Sequence, residues 1–393
     1  MRCLCGEYTV MYREDGKMEM FGDWYSGFPR LEREDAPLSQ EERLCAAGDP
    51  LLFWYRKNRR VLPWREKPEP YRVWISEIML QQTRVEAVKP YFARFMEALP
   101  DIAALSSVEE ERLLKLWEGL GYYTRARNLQ KAAGILMKEY EGRMPASYEA
   151  IRSLPGIGSY TAGAVSSIAF NLPWPAVDGN VLRVMTRLYG DGEEVTKPAV
   201  RKRYEGLLRM ELLRRSESKQ EFHCGEYNQA WIELGALVCL PSGRPLCETC
   251  PLQSLCMARR SGTQESYPVK PVKKPRRVEK RTVFLIEWED RVAIRKRSSR
   301  GLLASLYEFP NLEGHLEPEQ AERAFGLLPG EVQECMPLSP SVHIFSHVEW
   351  HMIGYRLRLR QEKAELFDMV KREEIFSKYP LPNAFGAYTK ALL

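Results

Sequence analysis

Two glycines separated by one apolar residue, Gly156 and Gly158, constrain the fold of this 393-residue chain more than any other feature. They follow the pair Leu154-Pro155, and helix-compatible sequence lies on both sides. Because glycine adopts positive φ at little steric cost and leaves the backbone bare, the segment predicts a tight hairpin between two helices. Backbone amides at the start of the second helix can approach a phosphate closely. The hairpin is therefore a candidate site for gripping a phosphate backbone.

An aspartate follows the hairpin in the segment Val177-Asp178-Gly179-Asn180. An aspartate placed before a periodic apolar run is a good helix N-cap, which is a purely structural role. A carboxylate held by the amides of a helix start also stays ionised and suits the stabilisation of a nearby cation. The two roles are compatible, so Asp178 is a candidate functional carboxylate as well as a cap.

A second carboxyl, Glu77, lies in an apolar segment. If residues 71–83 form a helix, its neighbours on the same face are Val73, Trp74, Leu80 and Gln81. Three of these four are apolar, so the carboxyl would be poorly solvated and its pKa raised, as a general acid near neutrality requires. The alternative is a surface glutamate whose apolar neighbours face inward. One acid and one anion together form the pair used in glycoside hydrolysis.

Cysteine usage indicates a metal centre. The chain has nine cysteines, an odd number, and its N-terminal segment lacks the apolar core of a signal peptide, so a disulfide framework is not expected. Four of them, Cys239, Cys247, Cys250 and Cys256, follow the pattern C-x7-C-x2-C-x5-C. Soft thiolates select zinc or an iron–sulfur cluster, and the spacing alone does not separate the two. Unrelated buried cysteines are the structural alternative.

Composition along the chain predicts four segments. Residues 1–40 show no sustained helical period and are interpreted as an irregular extension, followed by a helical domain over residues 41–260. A basic, proline-rich linker is predicted over residues 261–281 and a smaller α+β domain over residues 282–393. Nine Lys or Arg and two Glu lie between residues 259 and 281, a stretch that suits either a phosphate backbone or a solvated linker.

Hydrophobic periodicity predicts that the first two thirds of the chain are mainly α. Ala126, Leu129, Ala133, Leu136 and Tyr140 recur at intervals of three and four, which is one face of a helix. Ser107 and Glu110 form a capping-box pattern, which predicts that a helix starts at Ser107. After the linker, alternating apolar residues predict strands over residues 282–288, 292–297 and 355–360.

Together the hairpin, the Val-Asp-Gly-Asn segment and the four-cysteine loop resemble the helix-hairpin-helix DNA glycosylase superfamily. Residues 74–83, Trp-Ile-Ser-Glu-Ile-Met-Leu-Gln-Gln-Thr, resemble the catalytic helix of its MutY (adenine DNA glycosylase) family almost residue for residue. The resemblance covers roughly residues 45 to 390 and implies a two-lobed helical domain whose four cysteines bind a [4Fe–4S] cluster. The first cysteine gap of the family has six residues, whereas this chain has seven.

The same resemblance assigns roles residue by residue. It implies that Glu77 donates a proton to adenine, that Asp178 stabilises the sugar oxocarbenium ion, directly or through a transient adduct, and that Asn180 hydrogen-bonds nearby. The implied DNA-binding positions are the pocket wall Arg60, Leu62 and Trp64, the wedge Gln82 with Thr83, the second insertion residue Tyr122, the hairpin glycines, and Glu233.

Tyr160 occupies the hairpin position where bifunctional relatives, such as the endonuclease III family, carry a lysine. That lysine's amine forms a Schiff base with the sugar and then cleaves the strand. Tyrosine has no amine, so the expected chemistry is hydrolytic base release without efficient strand cleavage.

The segment Phe345-Ser346-His347 is, from its residues alone, a loop with a satisfied histidine. MutY-type enzymes carry a similar loop in a Nudix-like C-terminal domain, and the resemblance implies that it senses 8-oxoguanine opposite the adenine. The chain lacks the acidic metal box of Nudix hydrolases, so nucleotide pyrophosphatase activity is not expected.

The expected partner is therefore double-stranded DNA that contains adenine opposite 8-oxoguanine or guanine, bound by a monomer. No apolar run approaches the ~18 residues of a membrane span, and a cytoplasmic, nucleoid-associated location is expected. The net charge of +5 is weak support for a nucleic-acid partner. Two alternatives remain open: a thymine or oxidised-pyrimidine glycosylase of the same superfamily, and a noncatalytic iron–sulfur DNA-binding redox sensor.

Overall fold

The computed structural model describes residues 38–218, 221–272 and 275–393. The extension predicted over residues 1–40 lies outside these residues except for its last three, and Lys273 and Lys274 of the predicted linker also lie outside them. Within the described residues, no helix is long and apolar enough to cross a membrane.

The first helical lobe is one continuous stretch of short helices around a shared apolar core. Its longest helix carries the predicted face, because Ala126, Leu129, Ala133 and Leu136 are all buried. The helices of this lobe are α2 (Pro63–Glu66), α3 (Pro70–Leu80), α4 (Val85–Ala98), α5 (Ile102–Ser107), α6 (Glu110–Leu116), α7 (Thr124–Glu139), α8 (Tyr148–Ser153) and α9 (Ser159–Phe170).

The second lobe joins the start of the described chain to the segment that follows α9. Its core contains residues of α1 (Gln40–Asn58), α10 (Gly179–Tyr189), α11 (Pro198–Ser218) and α12 (Cys224–Leu237). A capping box begins α1, in which the Ser39 hydroxyl accepts from the Glu42 amide at 3.1 Å and the Glu42 carboxylate accepts from the Ser39 amide at 2.9 Å. The last α-helix before the C-terminal domain is α13 (Met257–Arg260).

The prediction that a helix starts at Ser107 is wrong. Ser107 is the last residue of α5, and its hydroxyl donates to the Ala103 carbonyl at 3.0 Å. The next helix begins at Glu110, where the N-cap Glu109 makes no side-chain cap hydrogen bond. The Ser107 hydroxyl bonds to the preceding turn of its own helix instead of capping the next helix. A short hydroxyl side chain can make either bond, and the capping-box pattern does not distinguish between them.

The C-terminal domain is a mixed sheet with short helices, so the predicted fold class is confirmed. Its sheet contains, in order, β3 (Tyr307–Glu308), β2 (Arg291–Lys296), β1 (Arg277–Trp288), β6 (Val348–Leu359) and β5 (Val332–Ile344). The central strands β1 and β6 pair in parallel. The strand predicted over residues 282–288 begins earlier, because its charged first residues pair with the distant β6. Two further strands, β4 (Asn311–Glu313) and β7 (Asp368–Lys371), pair with β1 and β2 respectively. The helices of this domain are α14 (Pro318–Glu322), α15 (Arg372–Ser377) and α16 (Gly386–Lys390).

The C-terminal domain packs against α6 and the loop that follows it. Leu306, fully buried, belongs to the apolar core of the first helical lobe. The Glu118 carboxylate accepts from the Leu381 amide at 2.9 Å, and the Lys115 ammonium donates to the Tyr379 carbonyl at 3.0 Å. The sheet domain therefore supports the segment of the helical domain that leads to Tyr122.

Candidate active site

Glu77 lies in the middle of α3, which begins at Pro70 in the favoured first helical position. The residue is only 7% exposed. Burial raises the pKa of Glu77 to about 7, although a hydrogen bond from Tyr160 opposes the shift. The Tyr160 hydroxyl donates to Glu77 Oε2 at 2.7 Å. The side chain can therefore hold a proton near neutral pH, as a general acid must.

Asp178 is the N-cap of α10, as the sequence predicts. Its carboxylate accepts from the Val181 amide at 2.8 Å and from the Asn180 side-chain amide at 2.6 Å. Burial raises the pKa of Asp178, and these two hydrogen bonds oppose that rise. The helix start thus favours the ionised form, as expected, against a desolvation penalty that the sequence did not reveal.

The two carboxyls come from different lobes and interact electrostatically. Asp178 raises the pKa of Glu77, and both carboxylates raise the pKa of Tyr160, whose largest shift comes from burial. Arg65 acts in the opposite direction on Glu77 and Tyr160. The sequence analysis assigned no role to Arg65, which directly follows the expected pocket-wall residue Trp64. A cation so close in sequence to Arg60 was the available signal.

Glu233 is fully buried between two arginines. It accepts from the Arg60 amide and guanidinium at 2.9 Å and from Arg65 Nη2 at 2.9 Å. Although burial opposes ionisation, these hydrogen bonds lower the pKa of Glu233 to about 2. Glu233 is therefore an anion that orients Arg60 and Arg65. Leu62 and Trp64, expected beside Arg60, lie in the core of the first lobe.

The predicted hairpin joins α8 to α9. Gly156 has φ +78°, and a Cβ added there would lie 2.7 Å from Asn128 Cβ. Gly158 is the N-cap of α9, with φ −89°, and a Cβ added there would meet no atom within 4 Å. Only Gly156 needs glycine for its own conformation, so the bareness of Gly158 leaves the start of α9 open to a ligand.

The two expected insertion residues share an unusual backbone conformation. Gln82, just after α3, has φ +61°, and Tyr122 has φ +46°. Both side chains are exposed, whereas Thr83 is partly buried. Non-glycine residues with positive φ carry strain that surrounding contacts must hold.

The Phe345-Ser346-His347 loop connects β5 to β6. The Phe345 ring packs 4.9 Å from the Trp350 ring, while Ser346 and His347 are exposed. The Tyr122 hydroxyl and the Ser346 hydroxyl lie 2.7 Å apart in a hydrogen bond. The fold therefore brings together two loops from different domains that the sequence analysis singled out separately.

The four cysteines of the predicted metal loop lie after α12. Across residues 38–218, 221–272 and 275–393, no group of three or more His, Cys, Asp or Glu is arranged to hold a metal ion. Burial raises the pKa of the Cys250 thiol, and the nearby sulfurs of Cys239, Cys247 and Cys256 add to that rise. Arg187 Nη1 donates to Cys239 Sγ at 3.2 Å. The donor set and its cationic partner fit a thiolate-bound centre.

Arg183 connects the carboxylate site to this cysteine loop. Its guanidinium donates to the Asn180 side-chain oxygen at 2.8 Å, to the Gly235 carbonyl at 2.7 Å and to the Cys239 carbonyl at 2.7 Å. Sequence reasoning missed Arg183, although its position one helical turn after Asn180 was a usable signal.

Two family models match separate parts of the chain. The family model "HhH-GPD superfamily base excision DNA repair protein" matches residues 75–210, and the model "NUDIX domain" matches residues 282–391. The first spans the α3 acid, the hairpin and the α10 cap. The fold and site thus define a helix-hairpin-helix base-excision DNA repair protein that also carries a Nudix domain.

Individual relatives narrow this class. The chain is 35% identical over 311 residues to the adenine DNA glycosylase of Buchnera aphidicola subsp. Acyrthosiphon pisum, which covers 79% of this chain and 85% of that protein. It is 35% identical over 374 residues to the mouse (Mus musculus) adenine DNA glycosylase, covering 80% and 71%. A solved thermostable thymine-DNA glycosylase is 27% identical, with a TM-score of 0.49 over 56% of this chain and 97% of its own. The chain belongs to the adenine DNA glycosylase family.

Proposed function

We propose that this protein removes adenine from duplex DNA in which the adenine lies opposite 8-oxoguanine or guanine, and that it leaves an abasic site. The observation that carries the proposal is the buried Glu77, whose pKa is raised to about 7 by burial and whose carboxyl contacts Tyr160. The chain belongs to the adenine DNA glycosylase family, and a buried acid of this kind suits protonation of the adenine as it leaves. Because the base is inaccessible within a stacked duplex, it must first be flipped out.

Two steps follow from the pair of carboxyls. Glu77 protonates adenine at N7, which converts the base into a neutral leaving group and weakens the glycosidic bond. Asp178, oriented by the Val181 amide and Asn180, stabilises the positive charge that develops on the sugar. Water completes the hydrolysis. Tyr160 supplies no amine, so the strand stays intact.

The remaining contacts suit DNA binding. Gly158 and the start of α9 bind a phosphate, Gln82 and Tyr122 enter the duplex beside the flipped base, and the loop of Ser346 and His347 reads the opposite base. The hydrogen bond between Tyr122 and Ser346 supports a joint role for the last two loops. We expect a monomer that acts at the nucleoid.

Single-turnover incubation with three duplexes tests this function. Adenine release from A opposite 8-oxoguanine and from A opposite guanine is expected, with strand breaks only after alkali treatment. Asp178→Asn should abolish release. Thymine release from T opposite guanine would contradict the substrate, and breaks without alkali would contradict the role given to Tyr160. An Asp178→Asn protein as active as the wild type would contradict the mechanism.

We also infer that Cys239, Cys247, Cys250 and Cys256 bind a [4Fe–4S] cluster. The four sulfur donors and the hydrogen bond from Arg187 to Cys239 Sγ support a centre of this kind. Bound by these four cysteines, a cluster would order the loop and would take no part in the hydrolysis. Iron, zinc and acid-labile sulfide analysis of the purified protein tests the inference. Zinc without sulfide would contradict it.

A further inference from the structure

One arginine at the start of α7 holds two separate loops through main-chain carbonyls. Arg125 Nη1 donates to the carbonyls of Ile78, Met79 and Gln81 at 2.7, 3.0 and 2.6 Å. Its Nη2 donates to the carbonyls of Leu120 and Gly121 at 3.0 and 3.1 Å. A single guanidinium therefore binds five carbonyl oxygens. No step of the proposed reaction uses this residue.

On one side, Arg125 terminates the helix that carries the acid. The last carbonyls of a helix have no partner within the helix, and a cation placed there is favoured by the helix dipole. Ile78 and Met79 lie in the last turn of α3, and Ile78 directly follows Glu77. Because Arg125 also binds the Gln81 carbonyl, it fixes the chain immediately before Gln82.

On the other side, Arg125 fixes the approach to Tyr122. It binds the two carbonyls that precede this residue, and its guanidinium lies 5.8 Å from the centre of the Tyr122 ring and 5.3 Å from that of Trp117. The Trp117 indole N–H donates to the Gly121 carbonyl at 3.1 Å, which closes this part of the loop. The same guanidinium therefore contacts the chain just before Gln82 and just before Tyr122, two exposed residues with positive φ.

We propose that Arg125 is a positioning residue that sets the separation of the Gln82 and Tyr122 loops and ties both to the end of the Glu77 helix, so that duplex insertion and acid placement occur together. The inference deepens the proposed function and rests on it. Arginine suits this role because its planar fork reaches acceptors on two sides, whereas the compact ammonium of lysine reaches one side only.

The energetics agree with this geometry. Burial lowers the pKa of Arg125 to about 10, so the guanidinium is charged at neutral pH despite the loss of water. Five carbonyl dipoles offset that desolvation. A cation held in this way resists rearrangement, which is what a residue that fixes two loops requires.

Arg125→Lys in the full-length protein tests the proposal. The readouts are the single-turnover rate of adenine release and the fluorescence of 2-aminopurine placed beside the mispair, which rises when an inserted side chain unstacks it. We expect the release rate to fall about 100-fold, since small displacements of catalytic groups have effects of this size. The fluorescence rise should also be reduced. Arg127→Lys on the same helix is the matched control, because Arg127 binds Glu110 and Ala304 instead of either loop.

A double variant separates positioning from stability. If Arg125 acts through Tyr122, adding Arg125→Lys to Tyr122→Ala should reduce the fluorescence rise less than Arg125→Lys does alone. Wild-type release and fluorescence in Arg125→Lys would overturn the proposal, as would full additivity with Tyr122→Ala. Should Arg125→Lys fold poorly, Arg125→Gln assayed well below its melting temperature gives the same readouts. Absence of adenine release by the wild-type protein would instead refute the proposed function.

Discussion

At the scale of single residues, the central feature is a carboxyl whose protonation is adjusted by one phenol. Burial raises the pKa of Glu77 to about 7, and the Tyr160 hydroxyl opposes that shift by donating to the ionised form. The two residues are 83 positions apart in sequence. Tyr160 therefore does more than replace the lysine of bifunctional relatives. Its hydrogen bond also affects the pH range over which Glu77 holds its proton.

Tyr160→Phe should shift the pH profile of adenine release to higher pH. Without the phenol, the ionised form of Glu77 loses a hydrogen bond, so its pKa rises further and it stays protonated at higher pH. Single-turnover rates measured across the neutral range should therefore decline at a higher pH than in the wild type. Tyr71 lies on the same helix as Glu77, and its hydroxyl donates to the Leu99 carbonyl at 2.8 Å. Tyr71→Phe should therefore leave the pH profile unchanged. A shift to lower pH would contradict this account.

Glu77→Gln should stabilise the fold while it abolishes activity. The pKa of Glu77 is about 7 in the folded protein, above the ordinary value of 4.5 that applies to the unfolded chain. The wild type therefore loses stability as the pH rises from about 4.5 through about 7. At pH well above both values the ionised carboxyl costs about 3 kcal/mol, and glutamine does not ionise. The gain in unfolding free energy should therefore be larger at alkaline than at acidic pH, in denaturant titrations at both. An equal gain at both would contradict the buried-acid assignment.

At the scale of elements, the sequence predicted those features that depend on neighbours in the chain. The helix around Glu77, the turn at Gly156 and the cap at Asp178 all follow from local patterns. Ser107 shows the limit of such patterns, because its hydroxyl had two possible local partners. Arg183 shows another, since its partners Gly235 and Cys239 lie more than fifty residues away. Hydrophobic periodicity does not predict hydrogen bonds between residues so far apart in the sequence.

The two hairpin glycines should separate stability from DNA binding. Gly156→Ala places a Cβ 2.7 Å from Asn128 at φ +78°, so it should cost about 2 kcal/mol or more of stability. Gly158→Ala meets open space and should cost under about 1 kcal/mol, the range of an N-cap change. Its added methyl would nevertheless obstruct a phosphate at the start of α9. Thermal melts and duplex titrations check both, and unchanged affinity in Gly158→Ala would contradict a phosphate site at that helix start.

The Tyr122–Ser346 contact should influence the choice of opposite base. Ser346→Ala removes a hydroxyl of the Phe345-Ser346-His347 loop that lies 2.7 Å from the Tyr122 hydroxyl. We expect the preference for A opposite 8-oxoguanine over A opposite guanine to fall by the equivalent of about 1 kcal/mol, the value of one hydrogen bond. Ratios of single-turnover rates on the two duplexes measure this. A preserved ratio would place base reading elsewhere.

At the scale of the whole molecule, the site exists because distant segments meet. The helix α1, at the start of the described chain, completes the lobe that holds Asp178, while Glu77 belongs to the other lobe. The sequence predicted the fold class but not this interleaving, because apolar faces do not specify which other face they contact. The packing of the sheet domain against α6 and the loop after it was likewise not predicted. It uses residues such as Leu306 and Glu118, which no sequence pattern marks as interface residues.

Docking through Leu306 should couple the two domains in unfolding. Leu306 lies fully buried in the core of the helical lobe although it precedes β3 of the sheet domain, so both domains lose contacts if it is shortened. Leu306→Ala should cost about 3 kcal/mol, typical of a buried leucine. Calorimetry of the wild type should show one cooperative transition, and the variant should show two.

Leu285→Ala, in a core that belongs to the sheet domain alone, is the control for this coupling. It should destabilise the sheet without separating the domains, whereas Leu306→Ala should also release the loop that Glu118 and Leu381 hold. If that loop presents Tyr122 to DNA only while docked, Leu306→Ala should lower the preference for A opposite 8-oxoguanine, as Ser346→Ala does. Two transitions in the wild type, or an unchanged preference in Leu306→Ala, would show that the domains act independently.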